Sequence, residues 1–317
     1  MTSKPAANLD VEDMGTGALP GRAVLEIATV RALSRRSNIQ GLLRFTLHLT
    51  LMGFTGTLVW LTRGNWYLCL PAMFLHGVTI VTMFAPMHEC VHKTAFASPV
   101  LNEVFGWLAG LISFYNFTYY RYYHTWHHRF TQDPTRDPEL MSPKPKSVKG
   151  YLWEISGLEF WFMRPLTFAK LSLGLTNGYP FVPSTARKKI AISAAIQSGV
   201  YLAGLSFVAV GYSEPLYLFF LPALLGQPIL RAILIAEHTG CSADENGLTN
   251  TRTTLTTFPI RLLMWNMPFH TEHHLYPSIP FHRLPSAHAE LRAKLVHLES
   301  GYVTANRVII RSLVPLK

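Results

Sequence analysis

A short histidine–glutamate motif in the sequence is typical of metal sites. Residues 87–96 read MHECVHKTAF, in which His88, Glu89 and His92 form H-E-x-x-H. On a helix, this motif can place two imidazoles on a zinc ion, with the glutamate as the general base of a metalloprotease. The same two histidines could instead belong to a larger iron site. The motif alone leaves both interpretations open.

Two further histidine clusters share the pattern H-x-x-H-H, and one more histidine follows the fourth apolar segment. Residues at i, i+3 and i+4 lie on one face of a helix, so each cluster should aim three imidazoles at one place. The clusters are HTWHH (His124, His127 and His128) and HTEHH (His270, His273 and His274), and the additional histidine is His238 in AEHTG. With His88 and His92, the candidate metal ligands number nine.

The number of candidate ligands limits which metal, and how many ions, the site could bind. Imidazole suits zinc, copper, iron and nickel. Structural zinc takes four ligands, and catalytic zinc usually takes three and a water. Nine imidazoles are too many for one ion and about right for two. An all-imidazole site for two ions that keeps positions open for a small molecule favours two Fe ions, with O₂ as co-substrate.

Other polar residues are candidates for supporting roles. Acidic residues near the clusters could accept the outer N–H of a ligating imidazole; they are Glu89, Asp133, Asp137, Glu237 and Glu272. His76 and Arg231 lie within apolar segments, where ionisable residues are functional candidates, and we expect them at a substrate channel or headgroup. The remaining C-terminal histidines are expected at the surface; they are His282, His288 and His297.

The composition indicates a membrane protein. The 317 residues are 49% hydrophobic and only 15% charged, against roughly 25% charged in a typical soluble domain. The three cysteines are far apart, which does not suggest a disulfide scaffold. Three cysteines also cannot supply the four thiolates of an iron–sulfur cluster.

Four apolar segments have about the length of roughly 20 residues needed to cross a bilayer; they are 41–61, 66–86, 190–210 and 215–236. Lys and Arg collect at one end of these segments, which predicts that both termini and residues 87–189 are cytoplasmic. The net charge of +10 then suits a face against anionic lipid or an acidic redox partner, and needs no nucleic acid. The predicted fold is all-α and integral to the membrane, with four transmembrane helices and a cytosolic helical cap that carries the histidine-rich di-iron site.

The chain divides into three predicted parts. Residues 1–21 are polar and are expected to be a disordered cytosolic tail. Residues 22–297 form the membrane domain, and residues 298–317 form a C-terminal tail. Inside the domain, segments 100–117 and 151–175 are apolar and aromatic but flanked by polar turns, which predicts interfacial or re-entrant helices.

The three motifs HECVH, HTWHH and HTEHH resemble the histidine boxes of the membrane fatty acid desaturase superfamily, which includes alkane hydroxylases and carotenoid oxygenases. The texts HHRFTQDPTRDPE and WNMPFHTEHHLYPSIPFHRLP resemble those around the second and third boxes, and His238 in EHTG resembles an additional ligand. The resemblance covers about residues 40–295. It implies a four-span, mushroom-shaped fold with a cytosolic di-iron site, and O₂-dependent removal of hydrogen from an unactivated C–H bond.

Departures from the family pattern narrow this expectation. The third box begins with His270, not with the glutamine of front-end desaturases, and no H-P-G-G haem motif of a fused cytochrome b5 appears. Electrons are therefore expected from a separate donor, such as a ferredoxin or rubredoxin with its reductase. The first box is more similar to acyl-lipid desaturases and alkane hydroxylases than to the acyl-CoA Δ9 type.

The favoured hypothesis is a desaturase of a fatty acyl chain of the acyl-lipid type, in a bacterial inner membrane. The alternative is a di-iron hydroxylase of an alkane, an acyl chain or a smaller molecule. An intramembrane zinc protease is a remote alternative, because it leaves seven site histidines unexplained. A haem or metal carrier is a third, non-enzyme class, but its ligands should face each other at mid-membrane depth.

Overall fold

A computed structural model describes residues 24–313, and helices dominate this part of the chain. The tail expected at residues 1–21 lies outside the described residues. The described residues form these α-helices: α1 (Ile27–Leu33), α2 (Asn38–Thr62), α3 (Trp66–Val81), α4 (Phe84–Val91), α5 (Pro99–Ile112), α6 (Phe117–Phe130), α7 (Val148–Ser156), α8 (Leu158–Ser172), α9 (Ser184–Ala209), α10 (Leu221–His238), α11 (Phe258–Leu263), α12 (His270–Leu275), α13 (Leu284–Leu291) and α14 (Tyr302–Leu313). Two short strands, β1 (Thr253–Thr254) and β2 (Leu298–Glu299), pair in parallel.

Four helical segments are long and apolar enough to cross a membrane. They are α2, the stretch Trp66–Val91 formed by α3 and α4, α9, and the stretch Leu216–His238 in which a π-helical turn leads into α10. These segments overlap the four spans that the sequence predicts, so the helical class and the four candidate spans are confirmed.

Local sequence signals explain where the helices begin. The Asn65 side chain accepts a hydrogen bond from the backbone N–H of Tyr67 at 3.1 Å and caps α3. The Asn116 side chain caps α6 in the same way, through the backbone N–H of Tyr119 at 2.9 Å. Such side-chain oxygens satisfy N–H groups that have no partner within the helix. Helix α6, which carries HTWHH, therefore begins at a capped, well-defined residue.

Helices α3 and α10 cross at two glycines. A Cβ atom on Gly77 would lie 1.8 Å from the carbonyl oxygen of Pro222, and one on Gly226 would lie 2.3 Å from the carbonyl carbon of Gly77. The two backbones are thus in direct contact, as small residues allow in membrane helices. This crossing sets the relative positions of two spans whose later residues include histidines of the predicted site.

The segment between the second and third candidate spans differs from the sequence-based expectation in one element. The expected helix at 151–175 is two helices, α7 and α8, separated by Gly157 in a left-handed conformation with φ of 71°. A Cβ atom at Gly157 would also lie 2.7 Å from the Gln227 side chain on α10. Glycine is the residue that both constraints favour. The other expected helix, 100–117, corresponds to α5 and the turn before α6.

The C-terminal segment is packed against the rest of the chain. Strand β2 pairs with β1, and α14 buries Ala305 and Ile309 against Tyr151 and Ile235. The Asn306 amide also donates to the carbonyl oxygen of Ala232 on α10 at 2.9 Å. The packed structure therefore continues past residue 297, after which the sequence predicted a C-terminal tail.

Candidate metal centre

Four helical elements bring the nine predicted histidines together. Helix α6 carries HTWHH and α12 carries HTEHH, while α4 ends beside His92 and α10 ends at His238. Eight of the nine side chains are buried, and His92 keeps a small exposed fraction. The clustering that the sequence predicts is therefore present in the structure.

Five imidazoles form a first group, in which one ligand nitrogen from each lies within 4.8 Å of the others. The members of the first group are His88, His92, His124, His128 and His273. The His92 ring lies 4.6 Å from the rings of both His128 and His273, measured between centroids. Within the described part of the chain, neither nitrogen of His88 or of His273 has a hydrogen-bond partner.

Three imidazoles form a second group, and a fourth lies against it. His127, His238 and His274 have ligand nitrogens within 4.8 Å of one another. The Nε2 atom of His270 lies 3.1 Å from that of His238. The two groups are adjacent, because the rings of His128 and His274 stack with centroids 4.1 Å apart.

Oxygen atoms hold the outer nitrogens of the second group. The Nδ1 atom of His127 lies 2.9 Å from a carboxylate oxygen of Asp137, and that of His238 donates to the carbonyl oxygen of Asn250 at 3.1 Å. The Nδ1 atom of His274 lies 3.3 Å from the Thr131 hydroxyl. Because these partners fix the ring and its tautomer, the Nε2 lone pairs face inward.

Burial keeps most of these imidazoles neutral. It lowers the pKa of His92 to about 3, with a further contribution from His127. Burial first, and neighbouring imidazoles second, also hold the pKa values of His124, His273 and His274 well below the usual range. A neutral imidazole offers a lone pair to a metal without first losing a proton.

His127 differs from the other members of the centre. Burial alone would lower its pKa, but the carboxylates of Glu139 and Asp137 outweigh that effect and raise it. A carboxylate oxygen of Glu139 lies 3.7 Å from the Nε2 atom of His127. One of Glu237 lies 3.5 Å from the Nε2 atom of His270. Carboxylates therefore surround the second group, which makes the two groups chemically different.

The donor set fits two metal ions. Several buried imidazole nitrogens of the first group have no partner, which costs free energy in a protein interior. In the second group the Nε2 atoms of His127 and His238 lie 3.2 Å apart. A cation bound between such nitrogens would satisfy them, and imidazole is a ligand of first-row transition metals.

The five acidic candidates divide between two kinds of contact. Asp137 and Glu237 approach imidazoles of the centre, as expected. Glu272 accepts from His288 instead, so His288 is a packed residue and not the surface histidine that the sequence suggested. Glu89 accepts from the Thr94 hydroxyl and the backbone N–H of Phe281.

Asp133 is a correction to the sequence-based expectation. Its carboxylate caps an exposed turn and pairs with Arg136, and it contacts none of the nine imidazoles. Hydrogen bonds from Arg136 and Thr135 hold the pKa of Asp133 well below its usual range. The Asp133 carboxylate is therefore paired with residues next to it in the sequence and not with an imidazole of the centre.

The two candidates for substrate contact lie in different surroundings. The Nε2 atom of His76 donates to the carbonyl oxygen of Leu218 at 3.0 Å, and its Nδ1 atom lies 2.9 Å from the Thr55 hydroxyl. Both nitrogens of His76 are thus used within the helix bundle, which gives no support to a channel role. Arg231 lies closer to the centre and donates to the Tyr115 hydroxyl at 2.5 Å.

Some contributing residues had only weak signals in the sequence. Glu139 lies two residues after Asp137, and this closeness to a predicted supporting residue was its one signal in the sequence. Gln132 donates to the carbonyl oxygen of His238 at 2.6 Å and accepts from Lys144 at 2.6 Å. The carbonyl oxygen of Asn250 had no side-chain signal, because any residue supplies one.

Four candidate membrane spans and a buried cluster of nine imidazoles are typical of helical membrane proteins that bind a metal. The sequence model of the fatty acid desaturase family matches residues 64–305, which is most of the chain. The chain belongs to the fatty acid desaturase family and is an oxidoreductase.

Three relatives show how far the similarity extends. An sn-1 oleoyl-lipid 12-desaturase of Picosynechococcus sp. is 26% identical over 304 residues, which cover 90% of this chain and 83% of the relative. A sphingolipid delta(4)-desaturase DES1-like protein of Oryza sativa subsp. japonica is 27% identical, covering 73% of this chain and 66% of the relative. The dihydrorhizobitoxine desaturase of Bradyrhizobium elkanii is 28% identical, covering 70% and 67%. The match of 66% means that the chain spans just under two thirds of the length of the Oryza sativa protein.

Proposed function

We propose that this protein is an O₂-dependent di-iron desaturase that acts on a fatty acyl chain carried by a lipid. The observation that carries the proposal is the pair of adjacent imidazole groups, linked by the stacked rings of His128 and His274. Two groups accommodate two ions, and the absence of cysteine from both favours an imidazole-bound metal such as iron. The similarity to an oleoyl-lipid desaturase supports the substrate class.

The overall reaction balances with an external electron donor. Two hydrogens leave adjacent carbons of the acyl chain as a double bond forms, and two electrons and two protons from outside complete the reduction of O₂ to two waters. Bound iron would supply the oxidising chemistry with O₂. We propose a separate ferredoxin- or rubredoxin-type protein as the donor, because the net charge of +10 would attract an acidic redox partner.

The protein would hold and shield the reacting region. His88 and His92 would hold the first ion from the C-terminal end of α4, while Asp137 and the carbonyl oxygen of Asn250 would orient ligands of the second. Aromatic rings line the side of the first group. Tyr120 stacks on His124 with centroids 5.1 Å apart, and Phe84 lies 6.0 Å from His88. Such apolar walls suit an acyl chain and exclude water.

We further propose that the histidine-containing end of the spans faces the cytoplasm of a bacterial inner membrane, with both termini on that side. The short linkers at the other end, 62–65 and 211–214, contain a single basic residue, Arg63. The remaining Lys and Arg near the spans collect at the histidine end, as the positive-inside rule requires of a cytoplasmic face. Fusion of reporter enzymes to the two linkers and to the C-terminus would test this orientation.

Hydroxylation of an acyl chain, an alkane or a smaller molecule is the alternative, since the same centre could deliver oxygen to a substrate placed differently. A Caenorhabditis elegans relative, 28% identical, carries both desaturase and C4-monooxygenase in its name. The zinc protease hypothesis loses support, because His88 and His92 lie among seven further imidazoles in an oxidoreductase family.

Two measurements test the proposal. Metal analysis of the purified protein should give two irons per chain, and the optical spectrum should lack a haem Soret band. Expression with a ferredoxin and its reductase, followed by mass spectrometry of the lipids, should then reveal acyl chains lighter by two hydrogens. A gain of one oxygen would instead assign hydroxylation. One zinc per chain, or a Soret band, would refute the di-iron proposal.

A further inference from the structure

Two arginines contact the same two aromatic residues, Tyr115 and Phe160. Arg231 on α10 donates to the Tyr115 hydroxyl, and its guanidinium lies 5.1 Å from the centroid of the Phe160 ring. Arg164 on α8 lies 4.5 Å from the Tyr115 ring and 4.0 Å from the Phe160 ring. Two like charges are thus held near each other, although they repel.

Neither arginine forms a salt bridge within residues 24–313. No carboxylate lies within 4.0 Å of either guanidinium, and the buried Nε atoms of both lack an acceptor. Arg121 provides a contrast, because it is paired with Glu103. Burial, reinforced by Arg231 and opposed by Tyr115, lowers the pKa of Arg164. Glu154 and Glu237 act on Arg231 only from beyond salt-bridge distance. Half-buried guanidinium groups that no salt bridge neutralises are candidates to bind an anion.

The arginine pair is connected to the metal centre by aromatic rings. The Tyr115 ring lies 4.8 Å from Phe84 and 5.7 Å from Tyr120, measured between centroids. Phe84 in turn neighbours His88, and Tyr120 stacks on His124. An apolar wall therefore runs from the two cations to the first histidine group.

Both arginines are partly exposed, and Arg164 shares its helix with exposed apolar side chains. Arg164 and Arg231 each keep part of their surface exposed. Large apolar side chains on α7 and α8 are exposed around Arg164, including Trp153, Phe162 and Leu166. Exposed apolar and aromatic residues on short helices are typical of the membrane interface. Arg231 precedes His238 by two turns of α10, or about 10 Å along its axis.

We propose that Arg164 and Arg231 together bind the oxyanion of the substrate, while its acyl chain passes the Tyr115 and Phe84 rings toward the first histidine group. The ligand chemistry is a phosphate of a phospholipid headgroup or the carboxylate of a fatty acid. Guanidinium groups present paired donors that match both anions. The identification of this ligand as substrate depends on the proposed desaturase function, whereas the oxyanion site itself does not.

Equilibrium binding of three radiolabelled lipids in neutral detergent tests the site without turnover. The probes are dioleoylphosphatidylglycerol, oleate and uncharged dioleoylglycerol, added to the iron-loaded protein without O₂ or an electron donor. Arg164→Gln and Arg231→Gln should each weaken anionic lipid binding by about 10- to 100-fold, the range for hydrogen bonds to charged groups. Dioleoylglycerol binding should not change. Lys170→Gln removes an exposed charge from the same helix and serves as the matched control.

The pattern across the probes identifies the anion. Loss for phosphatidylglycerol alone assigns a phosphate, and loss for oleate assigns a carboxylate. The proposal is wrong if both arginine variants bind both anions within about twofold of the Lys170→Gln protein. Arg164 donates no hydrogen bond within the described residues, so Arg164→Gln remains decisive if Arg231→Gln fails to fold. If the anions bind but no lipid is desaturated, the site stands and the proposed reaction fails.

Discussion

The Nε2 atoms of His127 and His238 lie 3.2 Å apart, although the two residues are 111 positions apart in the chain. The Nδ1 atom of each ring faces an oxygen, from Asp137 and Asn250 respectively. Since each Nδ1 atom is directed to an oxygen, the two Nε2 atoms point at each other, and the carboxylates that raise the pKa of His127 favour a positive charge at this place. That arrangement is unfavourable unless a cation lies between them. The geometry therefore predicts a metal ion shared by α6 and α10.

Removal of His238 should cost one of the two irons. The second group has fewer imidazoles than the first, and His238 neighbours both His127 within it and His270 beside it. We expect His238→Ala to bind about one iron per chain, because the first group keeps all its ligands. Iron analysis and Mössbauer spectroscopy of the purified protein would measure this loss. The partly exposed His297 supplies a control, His297→Ala, which should keep both irons.

Two neighbouring aspartates should respond differently to the same substitution. Asp137 holds the Nδ1 atom of His127, whereas Asp133 pairs with Arg136 at an exposed turn. Asp137→Asn should weaken iron affinity by about 10- to 100-fold, as for other residues that orient a ligand. Asp133→Asn should leave it within about twofold. Chelator competition would compare the two variants, and equal affinities would contradict the assigned role of Asp137.

Much of the fold and the centre could be predicted from the sequence because their signals are local. Apolar windows of a fixed length identify the spans, and the i, i+3, i+4 spacing aims the histidines of α6 and α12 together. Gly157 was harder to interpret, since the Gln227 side chain that leaves no room for a Cβ atom there belongs to a distant helix. A glycine inside an apolar pattern does not by itself indicate a break.

Contacts between distant segments could not be predicted in the same way. Asp133 and Asp137 follow the same histidine box, and only the folded turn shows which of them faces His127. His288 looked like a surface residue because its partner, Glu272, lies on another helix. Such pairings depend on how the cap packs, which residue spacing does not specify.

The two glycines at the crossing of α3 and α10 should not tolerate replacement by a residue with a side chain. A Cβ atom at Gly226 would lie 2.3 Å from the carbonyl carbon of Gly77, so Gly226→Ala must push the helices apart. We expect a loss of at least about 2 kcal/mol in unfolding free energy, as for overpacked cores. Gly199→Ala on α9 has open space around it and should not destabilise the protein. Thermal unfolding in detergent would measure both; a Gly226→Ala protein as stable as the control would contradict the close crossing.

Substitutions of Glu89 test whether its carboxylate is structural or acts as a catalytic base. It is buried, accepts from the Thr94 hydroxyl at 2.8 Å, and accepts from the backbone N–H of Phe281 at 3.3 Å. These bonds tie α4 to the segment that follows the third histidine box. The same carboxylate oxygen accepts both bonds, so the amide oxygen of Glu89→Gln can keep them, and this variant should retain both irons and most of the activity. Glu89→Ala loses both bonds and should cost about 1–3 kcal/mol of stability.

Iron content, turnover and thermal unfolding measured on the same preparations would separate the two roles of Glu89. In a zinc protease the glutamate of H-E-x-x-H takes a proton, so Glu89→Gln would abolish turnover while the metal stays bound. In the proposed desaturase, any loss of turnover should follow loss of iron or of folded protein. A fully iron-loaded, stable Glu89→Gln protein without activity would therefore make Glu89 a catalytic group and contradict the structural role argued from its contacts with Thr94 and Phe281.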